Sequence, residues 1–354
     1  MLEDKLRDVN IAGIRKLPAP KKIAEDTPAD DSVREVVFRG REQIKRILDG
    51  QDKRILMVVG PCSIHDAEKG HEYAQYLQPV SEEVSDRILI VMRTYFEKPR
   101  TTIGWPGMVY DPDLNGKGGI EKGLRMSRNL LLAVARMGLP TAAEFAGVLT
   151  PQYYGDLVSY AAIGARTSSS RDHRGLASGL SMPVGLKNGT CGSLKKAVDA
   201  VAAARSPQIF LGITYEEGTP AEFLTRGNPY SHIVLRGGDN GPNYQEAYVQ
   251  KVLELQKEAG VDMRIVIDAS HANSGKDPMK QPGIVYNVIR QRINGNHRIA
   301  GVMVESNLTA GESKTDPGLP WEETKEMIYR VYKMLHWSIA SSSMKWRAAG
   351  IIMQ

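Results

Sequence analysis

Eight short apolar runs punctuate the chain: RILMVVG, RILIVMR, PTAAEF, IGARTS, PVGLKN, HIVLRGG, RIVIDASH and IAGVMVE. Most are continuous rather than alternating, the pattern of a parallel strand buried on both faces. Stretches whose apolar positions recur at helical spacing lie between most of them. This strand-then-helix rhythm predicts an α/β protein, a closed (β/α)8 TIM barrel. The runs end on Cys62, Arg93, Glu144, Arg166, Lys187, Arg236, His271 and Glu305. Barrel enzymes place their chemistry at the C-terminal ends of the strands, so the pattern points to an enzyme.

The flanks set the boundaries. Residues 1–32 are polar and proline-bearing and read as an arm outside the main core. VREVVFRGREQIKRILDG predicts a helix stopped by Gly50, so residues 1–50 form an N-terminal arm and helix with an interface or regulatory role. The barrel takes residues 51–337, its first strand starting at Arg54. After the helix SLKKAVDAVAAARS, the segment QIFLGITYEEGTPAEFLTRGN predicts a β-hairpin inserted before strand six, within residues 206–228, with its turn near Glu217 and Gly218. A Gly/Ser/Pro loop over residues 306–320 follows strand eight and leads to the helix WEETKEMIYRVYKMLHW. Residues 338–354 form a tail with no assigned role.

Composition narrows the partners. An apolar fraction of 42% in 354 residues supports one large core. No apolar stretch approaches the ~18 residues of a membrane span, and the N-terminus lacks the apolar segment of a signal peptide. Two cysteines, Cys62 and Cys191, make a disulfide scaffold implausible and a reducing cytoplasm the expected compartment. A net charge of +5 raises the question of nucleic acid. The bases are scattered without aromatic interleaving, so a phosphorylated metabolite fits better than nucleic acid.

Two sets of side chains carry candidate chemistry. Cys62 in GPCSIHD, His271 in DASHANSGK, Glu305 in MVES and Asp316 in KTDPG offer a thiolate, an imidazole and two carboxylates. That mixture suits a divalent Mn, Fe, Co or Zn ion; the alternative is a buried structural cysteine, a capping histidine and two solvated carboxylates. MRTYFEKPRTT packs Arg93, Lys98, Arg100 and Thr101 together, and Arg166, Lys187 and Arg236 end buried strands, where a lone charge is expensive. Guanidinium forks match phosphate and carboxylate oxygens, so these bases predict a substrate with several negative charges. The alternative is an Arg–Glu network across the barrel mouth using Glu97 and Glu144. His65 reads as a loop residue, and His173 as a substrate contact or a helix cap.

Together, GPCSIHD, MRTYFEKPRTTIGW, IGART, GLKNGT, HIVLRGG, IDASHANSGK and GVMVES resemble the type I 3-deoxy-D-arabino-heptulosonate 7-phosphate (DAHP) synthases, in their feedback-regulated bacterial and fungal branch. The resemblance runs from about residue 8 to about residue 335. It implies a metal-dependent barrel condensing phosphoenolpyruvate with erythrose 4-phosphate, the first step of the shikimate pathway. It further implies Cys62, His271, Glu305 and Asp316 as metal ligands. Arg166 and Arg236, with Gly164 and Ala165 beside them, would hold the phosphate of phosphoenolpyruvate, and Arg93 and Lys187 its carboxylate end. Lys98, Arg93 and Glu144 would be catalytic, and Arg100 and Thr101 would hold erythrose 4-phosphate. In this branch the arm and the hairpin form an aromatic amino-acid site at a subunit interface, which implies a homodimer or homotetramer inhibited by Phe, Tyr or Trp. Pro151, Ser181 and Phe210 are the candidate lining residues, with ordinary packing as the alternative.

The sequence also departs from the family. The loop between Glu305 and Asp316 is shorter than usual, Ser169 and Gly175 replace glutamates, Cys191 an aspartate and Pro106 a lysine. These departures leave room for a relative that uses another aldose phosphate, or for an impaired barrel kept for regulation.

Overall fold

The computed structural model describes residues 6–350, with side chains through residue 336. The N-terminal segment forms α1 (Pro20–Asp26) and α2 (Asp31–Asp49). Strand and helix then alternate through β1 (Ile55–Gly60), α3 (Ala67–Glu83), β2 (Ile88–Arg93), α4 (Ile120–Arg136), β3 (Thr141–Glu144), the single turn α5 (Pro151–Tyr154), β4 (Tyr160–Ile163), α6 (Arg171–Gly179), β5 (Val184–Lys187) and α7 (Leu194–Arg205). An antiparallel hairpin of β6 (Ile209–Ile213) and β7 (Pro220–Leu224) interrupts the rhythm. It resumes with β8 (Ser231–Leu235), α8 (Glu246–Glu258), β9 (Ile265–Asp268), α9 (His271–Ser274), α10 (Gln281–Ile293), β10 (Ile299–Asn307), β11 (Leu319–Pro320) and α11 (Trp321–Gly350).

Eight parallel strands close in the order β1-β2-β3-β4-β5-β8-β9-β10, with β10 pairing back onto β1. The expected TIM barrel and its inserted hairpin are both present. Side chains alternate across each strand. One set, including Ile55, Met57, Val59, Ile88, Ile90 and Met92, packs against the surrounding helices. The other set, including Leu56, Val58, Leu89, Val91, Ala142, Tyr160, Ala162, Val234 and Val266, fills the interior. Ile44, Ile47 and Leu48 of α2 join that interior cluster, so α2 closes the N-terminal end of the barrel. Its sequence dictates this helix: the Asp30 carboxylate accepts from the Val33 N–H at 3.0 Å, and Gly50 stops it at φ +77°.

One further step along the inward alternation changes the chemistry. Arg93 follows Val91, Glu144 follows Ala142, Asp268 follows Val266 and Glu305 follows Met303, while Lys187 ends β5. All five are buried. The barrel is therefore apolar below and charged at its C-terminal mouth.

Three boundaries differ from the sequence expectation. The arm is not outside the core as far as residue 32: Ile23 of α1 is fully buried, and Thr27 accepts a hydrogen bond from Arg128 Nε at 2.9 Å. Pro20 favours that helix because its missing N–H and fixed φ suit a first turn. The fourth strand ends at Ile163 rather than at Arg166. There the N–H groups of Thr167 and Ser168 both turn back to the Gly164 carbonyl, at 3.0 and 2.9 Å, and curl the chain out of the sheet. The last helix runs on to Gly350, past the expected start of the tail; the tail's side chains and residues 351–354 lie outside the described part. No described helix is long and apolar enough to cross a membrane.

Candidate active site

The floor of the mouth is a layer of buried ion pairs. Arg93 Nη2 lies 2.9 Å from Glu305 Oε1, and both side chains are essentially unexposed. Lys187 Nζ lies 3.1 Å from Glu144 Oε2 and 3.3 Å from Asp268 Oδ2. Burial alone would raise the Glu144 pKa, but Lys187 and Lys98 outweigh it and hold the carboxyl at about 2. Burial likewise works against the Lys187 ammonium, and Glu144 and Asp268 reverse it, leaving its pKa raised. Beside them the Tyr95 ring faces three cations, with Arg93 Cζ, Lys187 Nζ and Lys98 Nζ at 4.1, 5.5 and 5.8 Å from its centroid.

Above the floor, the loop after β2 brings in Lys98, Arg100 and Thr101. Lys98 is pinned at both ends: its N–H donates to the Pro106 carbonyl at 2.9 Å, and its Nζ reaches Cys62 Sγ at 3.1 Å. The Pro106 departure therefore keeps the backbone contact that shapes this loop. Glu97 anchors the loop from behind. It accepts from Tyr154 Oη at 2.5 Å, Thr150 Oγ1 at 2.7 Å and the Gly147 N–H at 2.7 Å, while burial pushes its pKa up. It pairs with no base among the described residues, so of Glu97 and Glu144 only Glu144 joins the ion pairs of the mouth, through Lys187.

Three arginines stand apart from that network. Arg100 and Arg166 are exposed and Arg236 is half-buried, and none pairs with a carboxylate among the described residues. Asn188 Oδ1 accepts from the Arg236 N–H at 2.9 Å. Gly237 follows at φ +75°, where a Cβ would come within 2.6 Å of the backbone at Ala272 and Asn273; glycine is required there. Arg166 Nε donates to Thr101 Oγ1 at 2.6 Å, so two of the expected anion-binding elements touch.

The metal candidates also converge. Ligand atoms of Cys62, Glu305 and Asp316 lie within 4.8 Å of one another, in a group that could hold a metal ion. His271 stands beside it, with Nε2 at 3.6 Å from Glu305 Oε1. Burial pushes the Cys62 thiol up, and Glu305 acts in the same direction. Glu305 is only 1% exposed and so is no solvated carboxylate, whereas the Asp316 side chain keeps 33% exposure. The donor set therefore fits a divalent ion. His65 is half-buried and outside the group. His173 Nε2 is 2.8 Å from the Ala146 carbonyl oxygen and lies on α6.

A cavity of about 180 Å³ joins these groups. Cys62, His271 and Asp316 line one side, Glu144 and Lys187 the base, and Lys98, Arg100, Thr101, Ala165, Arg166 and Arg236 the remainder. Arg93 and Glu305 lie beneath rather than on its wall, and Gly164 backs onto Glu144, to whose Oε1 an added Cβ would come within 2.9 Å. Sequence reasoning passed over Asp268, Lys276, Tyr95 and Thr315. Asp268 was legible in IVID, two positions after Val266 on the inward face. Lys276 pairs with Asp316 at 3.1 Å, a contact with no sequence signature.

A second, larger cavity of about 560 Å³ lies between α5, α6 and the hairpin. Pro151, Ser181 and Phe210 all line it, with Met182, Tyr215 and Phe223. Gly175 backs Phe210: an added Cβ would lie 3.0 Å from the Phe210 Cβ.

Comparison with known proteins agrees with this geometry. The family model of the DAHP synthetase I family matches residues 26–343. The Tyr-sensitive phospho-2-dehydro-3-deoxyheptonate aldolase of Salmonella typhimurium is 42% identical, covering 96% of this chain and 99% of its own. The Phe-sensitive enzyme of Escherichia coli K12 is 45% identical over 91% and 95%. The solved phospho-2-dehydro-3-deoxyheptonate aldolase of Francisella tularensis superposes with a TM-score of 0.90 at 42% identity, covering 92% of this chain and 99% of that one. By sequence, fold and the residues gathered at its mouth, the chain belongs to the DAHP synthetase I family.

Proposed function

We infer that this chain is a DAHP synthase, condensing phosphoenolpyruvate with erythrose 4-phosphate and water to give 3-deoxy-D-arabino-heptulosonate 7-phosphate and phosphate. Beyond family membership, one observation carries the reading: Arg100, Arg166 and Arg236 face one small cavity and none pairs with a carboxylate among the described residues, Glu144 and Asp316 on its wall being held by Lys187 and Lys276. Two phosphorylated substrates would supply the missing charge.

In this reading Arg166 and Arg236 hold the phosphate of phosphoenolpyruvate, and Lys187 meets its carboxylate. Arg93 acts from beneath by fixing Glu305. Arg100 and Thr101 hold the phosphate of erythrose 4-phosphate. Cys62, His271, Glu305 and Asp316 would hold a divalent Mn, Fe, Co or Zn ion, which when bound polarises the aldehyde oxygen. Lys98, which lines the cavity beside Cys62, gives a proton to that oxygen as C3 of phosphoenolpyruvate attacks the aldehyde carbon. Water then adds at C2 and phosphate leaves. The protein supplies no nucleophile; fixed cations orient two anions that would otherwise repel.

The larger cavity supports feedback control. Relatives of this chain are named Tyr-, Phe- and Trp-sensitive, and an aromatic amino acid suits a cavity lined by Phe210, Phe223 and Tyr215. Leu211 and Leu224 on the hairpin and Leu6, Val9, Ile11 and Ile14 on the arm are exposed. Burial of these side chains against a second copy favours a homodimer or homotetramer.

The test is consumption of phosphoenolpyruvate with and without Mn²⁺, using erythrose 4-phosphate and other aldose phosphates in parallel. Metal-dependent turnover with erythrose 4-phosphate is expected. Turnover only with another aldose would assign a different condensation, and none with any aldose would leave a regulatory barrel.

A further inference from the structure

Asp268 is the most enclosed carboxylate of the mouth and has no part in the reaction as described above. It ends β9 with no exposure at all. Its Oδ1 accepts from the Ser270 N–H at 3.1 Å and from Ser270 Oγ at 2.7 Å. Its Oδ2 has no satisfied hydrogen bond and instead lies 3.1 Å from His271 Nδ1 and 3.3 Å from Lys187 Nζ. One oxygen thus sits between a candidate metal ligand and a cation expected at the phosphoenolpyruvate carboxylate.

Local backbone makes that oxygen matter. His271 has φ +57°, a left-handed conformation that residues other than glycine rarely adopt and that persists only where surroundings impose it. Asn273 Nδ2 donates to the Asp268 carbonyl at 2.7 Å, and the Ala269 N–H to the Met303 carbonyl at 2.8 Å, so the backbone around the carboxylate is fixed. Ser270 Oγ lies 2.6 Å from His271 Nδ1. An N–H at Nδ1 bonded to Ser270 Oγ, with the Asp268 carboxylate beside it, would leave the Nε2 lone pair facing Glu305 and the Cys62–Asp316 group. A ligand histidine is commonly oriented and made more basic by such a partner.

We propose that Asp268 is a positioning residue that sets His271 and Lys187 in one fixed relation, aligning the metal side of the cavity with the phosphoenolpyruvate side. The inference rests on the functional reading above and adds to it a coupling through one carboxylate. Removing that charge frees both partners at once. Lys187 keeps Glu144, but its ammonium is no longer held from two directions.

The test uses Asp268→Asn in the full chain, because the amide keeps the shape and loses the charge. Mn²⁺ binding to metal-free protein is followed by the electron paramagnetic resonance signal of free Mn²⁺. Phosphoenolpyruvate binding is followed by calorimetry without erythrose 4-phosphate. Both dissociation constants should rise, that for Mn²⁺ by ~10- to 100-fold. Ser270→Ala, which keeps the charge and removes one bond to it, should shift Mn²⁺ affinity in the same direction by less, and serves if the first variant does not fold. A folded Asp268→Asn with wild-type Mn²⁺ affinity, or with weakened Mn²⁺ and unchanged phosphoenolpyruvate binding, would overturn the coupling while leaving the DAHP synthase reading intact. If the unmodified protein bound neither probe, that reading would fall first and this inference with it.

Discussion

The two ends of this barrel follow the same alternation of side chains and solve opposite problems. At the N-terminal end the inward positions hold Leu56, Leu89, Tyr160 and Val234 under the lid of α2. Tyr160 Oη and His232 Nε2 meet on that inward face at 2.9 Å. At the C-terminal end the same face holds Arg93, Glu144, Lys187, Asp268 and Glu305, each in an ion pair. Buried ion pairs are a poor source of stability but a good source of fixed charge. The lower end holds the barrel together, and the upper end holds charges where substrate needs them.

The sharpest test of that division is Cys62→Ala. The side chain is small and sits just beyond β1, so its loss should cost about 1 kcal/mol of stability, while turnover falls below detection and cannot be restored with Mn²⁺. Chelation of the unmodified protein should do the same reversibly. Full activity after metal removal would show that the thiol, imidazole and carboxylates only brace the mouth.

The free arginines come next. Arg166→Ala and Arg236→Ala should lower kcat/KM for phosphoenolpyruvate by ~10²–10³-fold, the scale of losing one preorganised charge. Arg100→Ala should act on erythrose 4-phosphate instead. Because Arg166 donates to Thr101, its loss should also raise the KM for erythrose 4-phosphate slightly, whereas Arg236→Ala should not. Equal effects of all three on both substrates would assign them to holding the mouth together.

At the opposite end, the expected signature is stability rather than rate. Burial depresses the His232 pKa from 6.5 to about 4. An unfolded chain therefore takes up a proton that the folded one refuses. The contribution is complete above pH 6.5 and is lost as pH falls towards 4, a change of ~3 kcal/mol. Urea unfolding at pH 7 and at pH 4.5 should show the loss in the unmodified protein, and a smaller one in His232→Gln. An identical pH dependence in both would place the titration elsewhere.

How much of this was legible follows from what strands do. A strand end fixes both the height and the face of a side chain, so Arg93, Glu144, Lys187, Arg236 and Glu305 could be placed from their runs alone. Asp268 obeys the same rule, two positions beyond Val266 on the inward face of IVID. Arg166 was placed correctly at the mouth but on the wrong element, since the turn at Gly164 is set by backbone bonds that apolar patterning does not encode. Lys276, Thr315 and the anchoring of Glu97 depend on loops meeting across the barrel, and no periodicity reports that. The docking of α1 has little signature in the sequence because Pro20 and Ile23 alone of its residues are buried, in an otherwise polar stretch.

The docking of α1 limits what can be removed in a test of the regulatory arm. The Lys21 N–H donates to the Tyr215 carbonyl at 3.0 Å and Lys21 Nζ pairs with Glu216 at 2.7 Å, so α1 is tied to the turn of the hairpin. Tyr153 Oη donates to the Pro18 carbonyl at 3.1 Å, and Tyr215 lines the larger cavity. Deleting residues 1–32 would thus uncover Ile23 and strip Arg128 of its contact with Thr27, lowering the melting temperature for reasons unrelated to regulation. Deleting residues 1–17 removes the described exposed arm and leaves α1 in place. This shorter deletion should keep kcat and the melting temperature of the monomer while lowering the mass in sedimentation. It should also raise the half-inhibitory concentration of whichever of Tyr, Phe or Trp acts on the intact chain. Residues 6–17 are exposed, so a fall in kcat would mean that assembly itself shapes the mouth. Unchanged inhibition at the same effector concentration would remove the arm from the sensor and leave the cavity between α5, α6 and the hairpin to act alone.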